Sequence, residues 1–217
     1  MNKIIEINDL ITKKQISEIL NLVDKNANFI NVNIFEMKSE IYEYMKTFEK
    51  VKVEMYLSRI GILEPRATHL IITTDTSNMI IGYILYHKVI NKPNDIAIIN
   101  TIVASKFRKQ GVLKNMMKNL KINYNSISLS CFPKLVKLYE KLGFMVACRW
   151  ETQIGMYYGH QENGGIITID DEFIKSNEIV KKEFEKFKKN KDWKSIMNKL
   201  NSDNKKAIEF AKKYKSC

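Results

Sequence analysis

Residues 103–114 read Val-Ala-Ser-Lys-Phe-Arg-Lys-Gln-Gly-Val-Leu-Lys, and the change of pattern across Gly111 decides the fold. Before it, Ile96 to Ala104 is rich in β-branched residues and reads as a strand. After it, Leu113, Met116, Met117 and Leu120 stand at i, i+3, i+4 and i+7, one face of a helix, with Lys114, Lys118 and Lys121 off that face. A turn from strand to helix leaves backbone N–H groups unpaired. The glycine lets the backbone approach a ligand closely, the helix N-terminus adds the positive end of its dipole, and Arg108, Lys109 and Lys114 add charge. Such a turn suits phosphate, although an ordinary turn on a basic surface could carry the same residues.

Outward from this turn the pattern is mixed α/β. Ile4 to Ile7 reads as a short strand and Thr12 opens a helix carrying Ile16, Ile19, Leu20 and Val23. Ile34 to Phe48 reads as a second helix, and Val51 to Arg66 as a strand followed by a loop. Leu70 to Thr74, Met79 to Ile90 and Ile96 to Ala104 read as an antiparallel meander, with turns at Thr76-Ser-Asn and Asn91-Lys-Pro-Asn. Ser126 to Cys131 is a buried strand. Pro133 starts a helix with the stripe Leu135, Leu138, Tyr139 and Leu142, and Gly143 is placed to end it in a left-handed conformation. Two strands follow, Phe144 to Arg149 and Thr152 to Tyr158.

From about residue 165 the chain turns Lys-rich and lacks Arg. Asp170 or Asp171 is placed to cap a helix bearing Phe173, Val180, Phe184 and Phe187; Asp192 a second with Trp193, Ile196, Met197 and Leu200; Ser202 or Asp203 a third. These are amphipathic and need a surface to cover. The expected organisation is a domain over 1–164 and a Lys-rich helical C-terminal appendage over 165–217.

The net charge of +12 is concentrated: between Lys106 and Arg149, ten basic residues face the single acid Glu140. That block calls for an anionic ligand or a well-solvated face. No apolar run is long enough for a membrane span and the N-terminus lacks a signal-peptide layout, so a cytoplasmic protein with no membrane partner is expected. Cys131, Cys148 and Cys217 form no Cys-x-x-Cys or Cys/His cluster, which suggests neither a disulfide framework nor a metal site.

Arg108-Lys-Gln-Gly-Val-Leu resembles the acetyl-coenzyme A signature of the GNAT superfamily, Arg/Gln-x-x-Gly-x-Gly/Ala, and Leu138-Tyr-Glu-Lys-Leu-Gly-Phe144 resembles its second signature at about the usual separation. The resemblance covers roughly residues 68–158. It implies a mostly antiparallel twisted sheet flanked by helices, with a splayed strand pair for acetyl-CoA. It further implies that the backbone of Thr101, Ile102 and Val103 runs beside the pantetheine and that one of their N–H groups polarises the thioester carbonyl. Lys109, Gln110, Gly111, Val112, Leu113 and Lys114 would hold the pyrophosphate, Arg108 beside them would also bind the cofactor, and Tyr139 would act as general acid toward the departing thiolate. Two positions depart from the family pattern: Leu113 replaces the second glycine or alanine, and Phe132 replaces an asparagine that many relatives carry.

The implied activity is N-acetyl transfer from acetyl-CoA as cosubstrate, without metal, to a primary amine of a small molecule or polypeptide. An alkylammonium with a pKa of about 10 is only ~0.1% neutral at pH 7, so attack benefits from a general base. The sequence does not name one; Asp95, His87, Glu64 and Glu54 fall on or near the strands expected to flank the acceptor. Two alternatives stand beside this reading: an amine on nucleic acid, either aminoacyl-tRNA or a modified base, and a CoA-binding or regulatory protein without turnover. Scarce Arg and weak aromatic interleaving disfavour nucleic acid. A homodimer is compatible with the sequence.

Overall fold

The computed structural model describes residues 2–161 and 164–214. A seven-stranded sheet runs in the order β1-β2-β3-β4-β5-β7-β6, built from β1 (Lys3–Ile7), β2 (His69–Thr74), β3 (Ile80–Val89), β4 (Lys92–Val103), β5 (Ser126–Cys131), β6 (Met145–Trp150) and β7 (Gln153–Tyr158). All neighbours are antiparallel except β4 and β5. The β3–β4 hairpin turns through Asn91, which adopts φ 62°, a left-handed conformation that asparagine tolerates better than most residues.

The sheet is covered on both faces. Along β3, Tyr83 and Leu85 belong to an apolar cluster with Ile19, Phe48 and Ile174, while Ile84 and Tyr86 belong to another with Met116, Leu120 and Tyr139. The period-2 alternation of a strand thus feeds two cores, which is why β3 is buried almost throughout. Helices α1 (Lys13–Asp24), α2 (Ala27–Ile30) and α3 (Tyr42–Leu57) lie N-terminal to the meander, and α4 (Val112–Asn123) and α5 (Val136–Lys141) alternate with the later strands. Thr12 caps α1 with a capping box, its hydroxyl accepting from the Gln15 N–H while the Gln15 side chain accepts from the Thr12 N–H.

The largest departure from the sequence expectation is α3. The chain from Ile34 to Ile41 is not helical, and the expected strand after Val51 is the second half of a 16-residue helix. Val51 and Val53 favour strands intrinsically, but Met45, Phe48, Val53, Tyr56 and Leu57 are all buried. Tertiary packing outweighs a propensity difference of a few tenths of a kcal/mol per residue.

The C-terminal segment forms α6 (Asp171–Lys175), α7 (Glu178–Lys188) and α8 (Trp193–Ala211), divided differently from expectation. Asp170 caps α6 as expected, but Asn177 accepts from the Ile179 N–H and starts a new helix. Ser202 and Asp203 cap nothing: both lie inside α8, where Asp203 pairs with Lys206 at 3.2 Å. Ile169, Ile174 and Val180 join the cluster around Phe48, and Phe187 and Leu200 pack with Phe35, Tyr42 and Met45. Phe173, expected in the buried stripe, is 63% exposed.

Cys131 is a free buried thiol. Cys148 is disulfide-bonded, against the expectation of no disulfide, and Cys217 lies outside the described residues. Among the described residues no helix is long and apolar enough to cross a membrane.

Because Ile174 is fully buried against α3 and the sheet, Ile174→Ala should lower the unfolding free energy by ~2–5 kcal/mol, measured by equilibrium denaturation. A neutral result would mean that α6 detaches without cost to the core.

Candidate active site

The site forms where β4 leaves β5. The β4–β5 ladder holds only Asp95, Ile96 and Ala97 opposite Ser126, Ile127 and Ser128. On the other side of β4 the register with β3 slips: Leu85 faces Asn100 and Tyr86 faces Ile98, so Ile99 is an extra, bulged residue. A bulge bends its strand and increases its twist. Beyond Ala97 the two strands part, and two cavities open, of about 480 and 690 Å3. Phe29, Thr101, Leu135 and Tyr139 line both, so the cavities meet at these four residues.

The smaller cavity gathers most of the residues singled out in the sequence. Thr101, Ile102 and Val103 reach it from the end of β4, and Arg108, Lys109, Gly111, Val112, Leu113 and Lys114 from the turn into α4. Lys109 and Gly111 adopt φ of 62° and 81°, both left-handed. Among the described residues, the N–H groups of Lys109 through Lys114 make no hydrogen bond; the first helical bond is Asn115 N–H to Gly111 C=O at 2.9 Å. A Cβ at Gly111 would meet nothing within 4 Å, so the backbone faces open space. A concave row of free N–H groups at a helix start, with Lys109 and Lys114 beside it, fits a phosphate group.

Three residues of this turn differ from their sequence reading. Arg108 folds back, donating to Val103 C=O at 3.0 Å and to the Asn26 side chain, with its guanidinium over the Phe29 ring. It braces the strand end. Gln110 does not line the cavity; its amide donates to Lys106 C=O at 2.7 Å. Leu113 is partly buried at the cavity wall, and Val112 takes the fully buried place beside Met116 and Met117.

Tyr139 lies on α5, 5% exposed, with its ring edge-on to Phe144 at 5.8 Å. Burial, with a minor contribution from Cys131, holds its hydroxyl well above the usual phenol range. The hydroxyl therefore stays protonated at any working pH and can act as a donor. Gly143 ends the following turn at φ 80°, as expected, but Leu138 faces outward at 43% exposure and lines the smaller cavity rather than the core.

The larger cavity contains none of the four carboxylates and histidines named as base candidates. His87 is fully buried, bonded to the Thr68 hydroxyl at 3.1 Å, and burial aided by Arg59 and His69 pushes it down to about 4. Asp95 pairs with His160 at 3.2 Å, Glu64 pairs with His69 at 2.8 Å, and Glu54 lies on α3 beside Asp24 and Lys50 in a separate surface depression.

The cavity holds instead Glu49, on the stretch of α3 that the sequence pattern placed at the end of one element and the start of another. Glu49 is 3% exposed, and its Oε1 accepts from Asn31 Nδ2 at 2.6 Å. Burial pushes its carboxyl up to about 7, partly offset by Lys52 and the Asn31 bond, with Asp171 adding to the rise. The folded protein thus binds a proton here more tightly than the unfolded chain. Its contribution to stability is full below the ordinary glutamate range and lost as pH rises through about 7. Three carboxylates, Glu49, Asp170 and Asp171, face one ammonium, Lys52, which is held by Asp171 at 2.8 Å. The wall at Thr168 to Asp171 comes from the C-terminal segment, fixed where the Ile169 N–H donates to the Tyr56 hydroxyl at 3.1 Å.

Solved structures share this fold. PH1933 from Pyrococcus horikoshii OT3 superposes with a TM-score of 0.53 at 18% identity, covering 75% of this chain and 100% of that one. An acyl-CoA N-acyltransferase from Pseudomonas aeruginosa gives 0.51 at 16%, covering 73% and 100%. The GNAT domain of S. lividans PAT gives 0.50 at 9%, covering 72% and 89%. No curated protein matches the sequence. The profile of the family described as Acetyltransferase (GNAT) family matches residues 32–144, more than half of the chain, and spans α3, the parting strands, the turn at Gly111 and Tyr139. The chain belongs to the GNAT acetyltransferase family.

Proposed function

We propose that this protein transfers an acetyl group from acetyl-CoA to a primary amine, with both substrates bound at once. The observation that carries the reading is the confluence of the two cavities at Thr101 and Tyr139. The smaller cavity, with its free N–H groups at Lys109 to Lys114, suits the pyrophosphate and pantetheine. The larger one suits the acceptor. A thioester at their junction would lie beside the end of β4, whose β5-facing edge is released from pairing beyond Ala97. Tyr139 would supply a proton to the departing sulfur.

The charges favour a small cationic amine over an amine on nucleic acid. In a chain of net charge +12, the acceptor cavity carries three carboxylates to one ammonium. An ammonium is attracted there and a phosphate-bearing acceptor repelled. The basic residues of the turn sit in the other cavity, where the cosubstrate phosphates would be. The aromatic walls Phe29, Phe48, Phe132 and Trp150 suit an amine with an apolar body.

Acetyl-CoA at a hundredfold excess over its dissociation constant should stabilise the fold by about 2.7 kcal/mol, or roughly 5–10 °C in melting temperature. No shift at millimolar acetyl-CoA would remove the proposal. Gly111→Asp, which places bulk and negative charge among the free N–H groups, should abolish the shift; an unchanged shift would mean that the phosphates bind elsewhere. In a thiol-release screen over amines, peptides and charged tRNA, cationic amines should turn over and tRNA should not.

Tyr139→Phe should lower turnover by ~10²–10⁴ with acetyl-CoA binding nearly unchanged. Because burial keeps the hydroxyl protonated, the variant should slow the reaction at every pH without moving a limb of the profile. Native turnover would make Tyr139 a packing residue only.

A further inference from the structure

We infer that Glu49 takes the proton from the acceptor ammonium, and so is the general base of this site. The inference rests on the proposed acetyl transfer and adds to it a residue that the sequence did not point to. Glu49 is the carboxylate deepest in the acceptor cavity, whereas Asp170 is occupied in capping α6 and Asp171 in holding Lys52. Lys52, one turn away on α3, forms no ion pair with Glu49 among the described residues.

The carboxylate is held in one orientation by a chain of amides. Asn31 Oδ1 accepts from the backbone N–H and the side chain of Asn33, at 2.7 and 2.9 Å, which leaves Asn31 Nδ2 to donate to Glu49 Oε1. Asn33 Oδ1 in turn accepts from Asn204 Nδ2 at 2.7 Å, tying the loop to α8. Glu49 Oε2 has no hydrogen-bond partner among the described residues. An oxygen left free on a fixed, buried carboxylate is what a base needs.

Glu49 is also placed toward the strand that borders both cavities. Its charge acts on Tyr83 of β3, whose hydroxyl donates to Asn100 Oδ1 at 2.9 Å and whose carbonyl accepts from the Thr101 hydroxyl at 3.1 Å. Asn100 lines the acceptor cavity and Thr101 both cavities. Besides burial, the groups that act on Glu49 are Lys52 of its own helix, the Asn31 amide and Asp171 of α6. The residue is half ionised near neutral pH, because burial outweighs the opposing effects of Lys52 and Asn31.

The proton balance is complete. The acceptor R–NH3⁺ gives one proton to the Glu49 carboxylate, and the neutral nitrogen forms a C–N bond with the thioester carbon. As the C–S bond breaks, the sulfur takes the Tyr139 proton, and the surplus proton on nitrogen returns to Tyr139. Glu49 then releases its proton to water. The products are the N-acetyl amine, CoA thiol and one proton.

The test uses the full chain with saturating acetyl-CoA and two nucleophiles: phenethylamine, which is an ammonium at pH 7, and hydroxylamine, a much weaker base that is largely neutral there. Wild-type turnover with phenethylamine should fall as pH drops through about 7 along a single-proton limb. Glu49→Gln, which keeps the shape and the Asn31 bond, should lower phenethylamine turnover by ~10²–10⁴ and remove that limb, while hydroxylamine turnover stays within a few-fold. Glu49→Asp should retain the limb. Two results would overturn the inference: a Gln variant with native phenethylamine rates and the same limb, or equal losses with both nucleophiles. In either case a retained acetyl-CoA thermal shift would leave the proposed transfer standing. A missing shift in the wild type would instead count against the transfer itself.

Discussion

The short parallel ladder between β4 and β5 is the constraint from which the rest of the site follows. Three residue pairs hold the strands together at Asp95 to Ala97, and the bulge at Ile99 turns β4 away. A sheet broken in its middle would normally leave unpaired backbone groups at a cost of about 1–3 kcal/mol each if buried. Here the break opens onto two cavities, so the released edge is available to a ligand. On the far side of β5 the ladder to β7 runs from Ile127 to Cys131 without interruption. The flaw is local, and the two apolar clusters either side of the sheet hold it in place.

Electrostatics then divides the two cavities. At the turn, left-handed backbone at Lys109 and Gly111 presents N–H groups and flanking ammonium groups. In the acceptor cavity the balance is reversed, with Glu49, Asp170 and Asp171 against Lys52. A strongly basic chain thus contains one acidic hollow. Keeping Glu49 there costs stability above neutral pH, a cost that a purely structural contact could avoid with an uncharged amide. The Asn204–Asn33–Asn31 chain holds the carboxylate still without neutralising it, as a direct ion pair to Lys52 would.

The C-terminal helices belong to this arrangement in a way their composition does not suggest. Lys-rich and amphipathic, they read as an appendage whose apolar stripes need a surface to cover. Yet Thr168 to Asp171 form a wall of the acceptor cavity, and α8 braces the loop at Asn31 to Ile34 through Asn204, which also accepts from the Ile34 N–H at 2.9 Å. The matched family region ends at residue 144, so this wall is supplied by sequence outside it. In the proposed reading, this segment outside the matched region helps shape the acceptor cavity.

The half of the site proposed for the cosubstrate is written in local sequence. The meander, the turn at Gly111, α4, and the helix ending at Gly143 are all coded by neighbours in the chain: alternation, helical spacing, and glycines at left-handed positions. That half was legible because free N–H groups at a helix start are a local consequence of one strand–turn–helix sequence. The half proposed for the acceptor arises from contacts between distant segments. Val51 and Val53 suggested a strand by local preference, and only packing against the sheet and α7 extends α3 through them and turns Glu49 inward. His87 and Asp95 are both base candidates in the sequence, but one is sealed in the core and the other pairs with His160 away from the cavity. The base proposed at Glu49 is set by burial and by what faces it across the fold, through partners such as Asn31, 18 residues away, and Asp171, more than a hundred away. No local pattern records that.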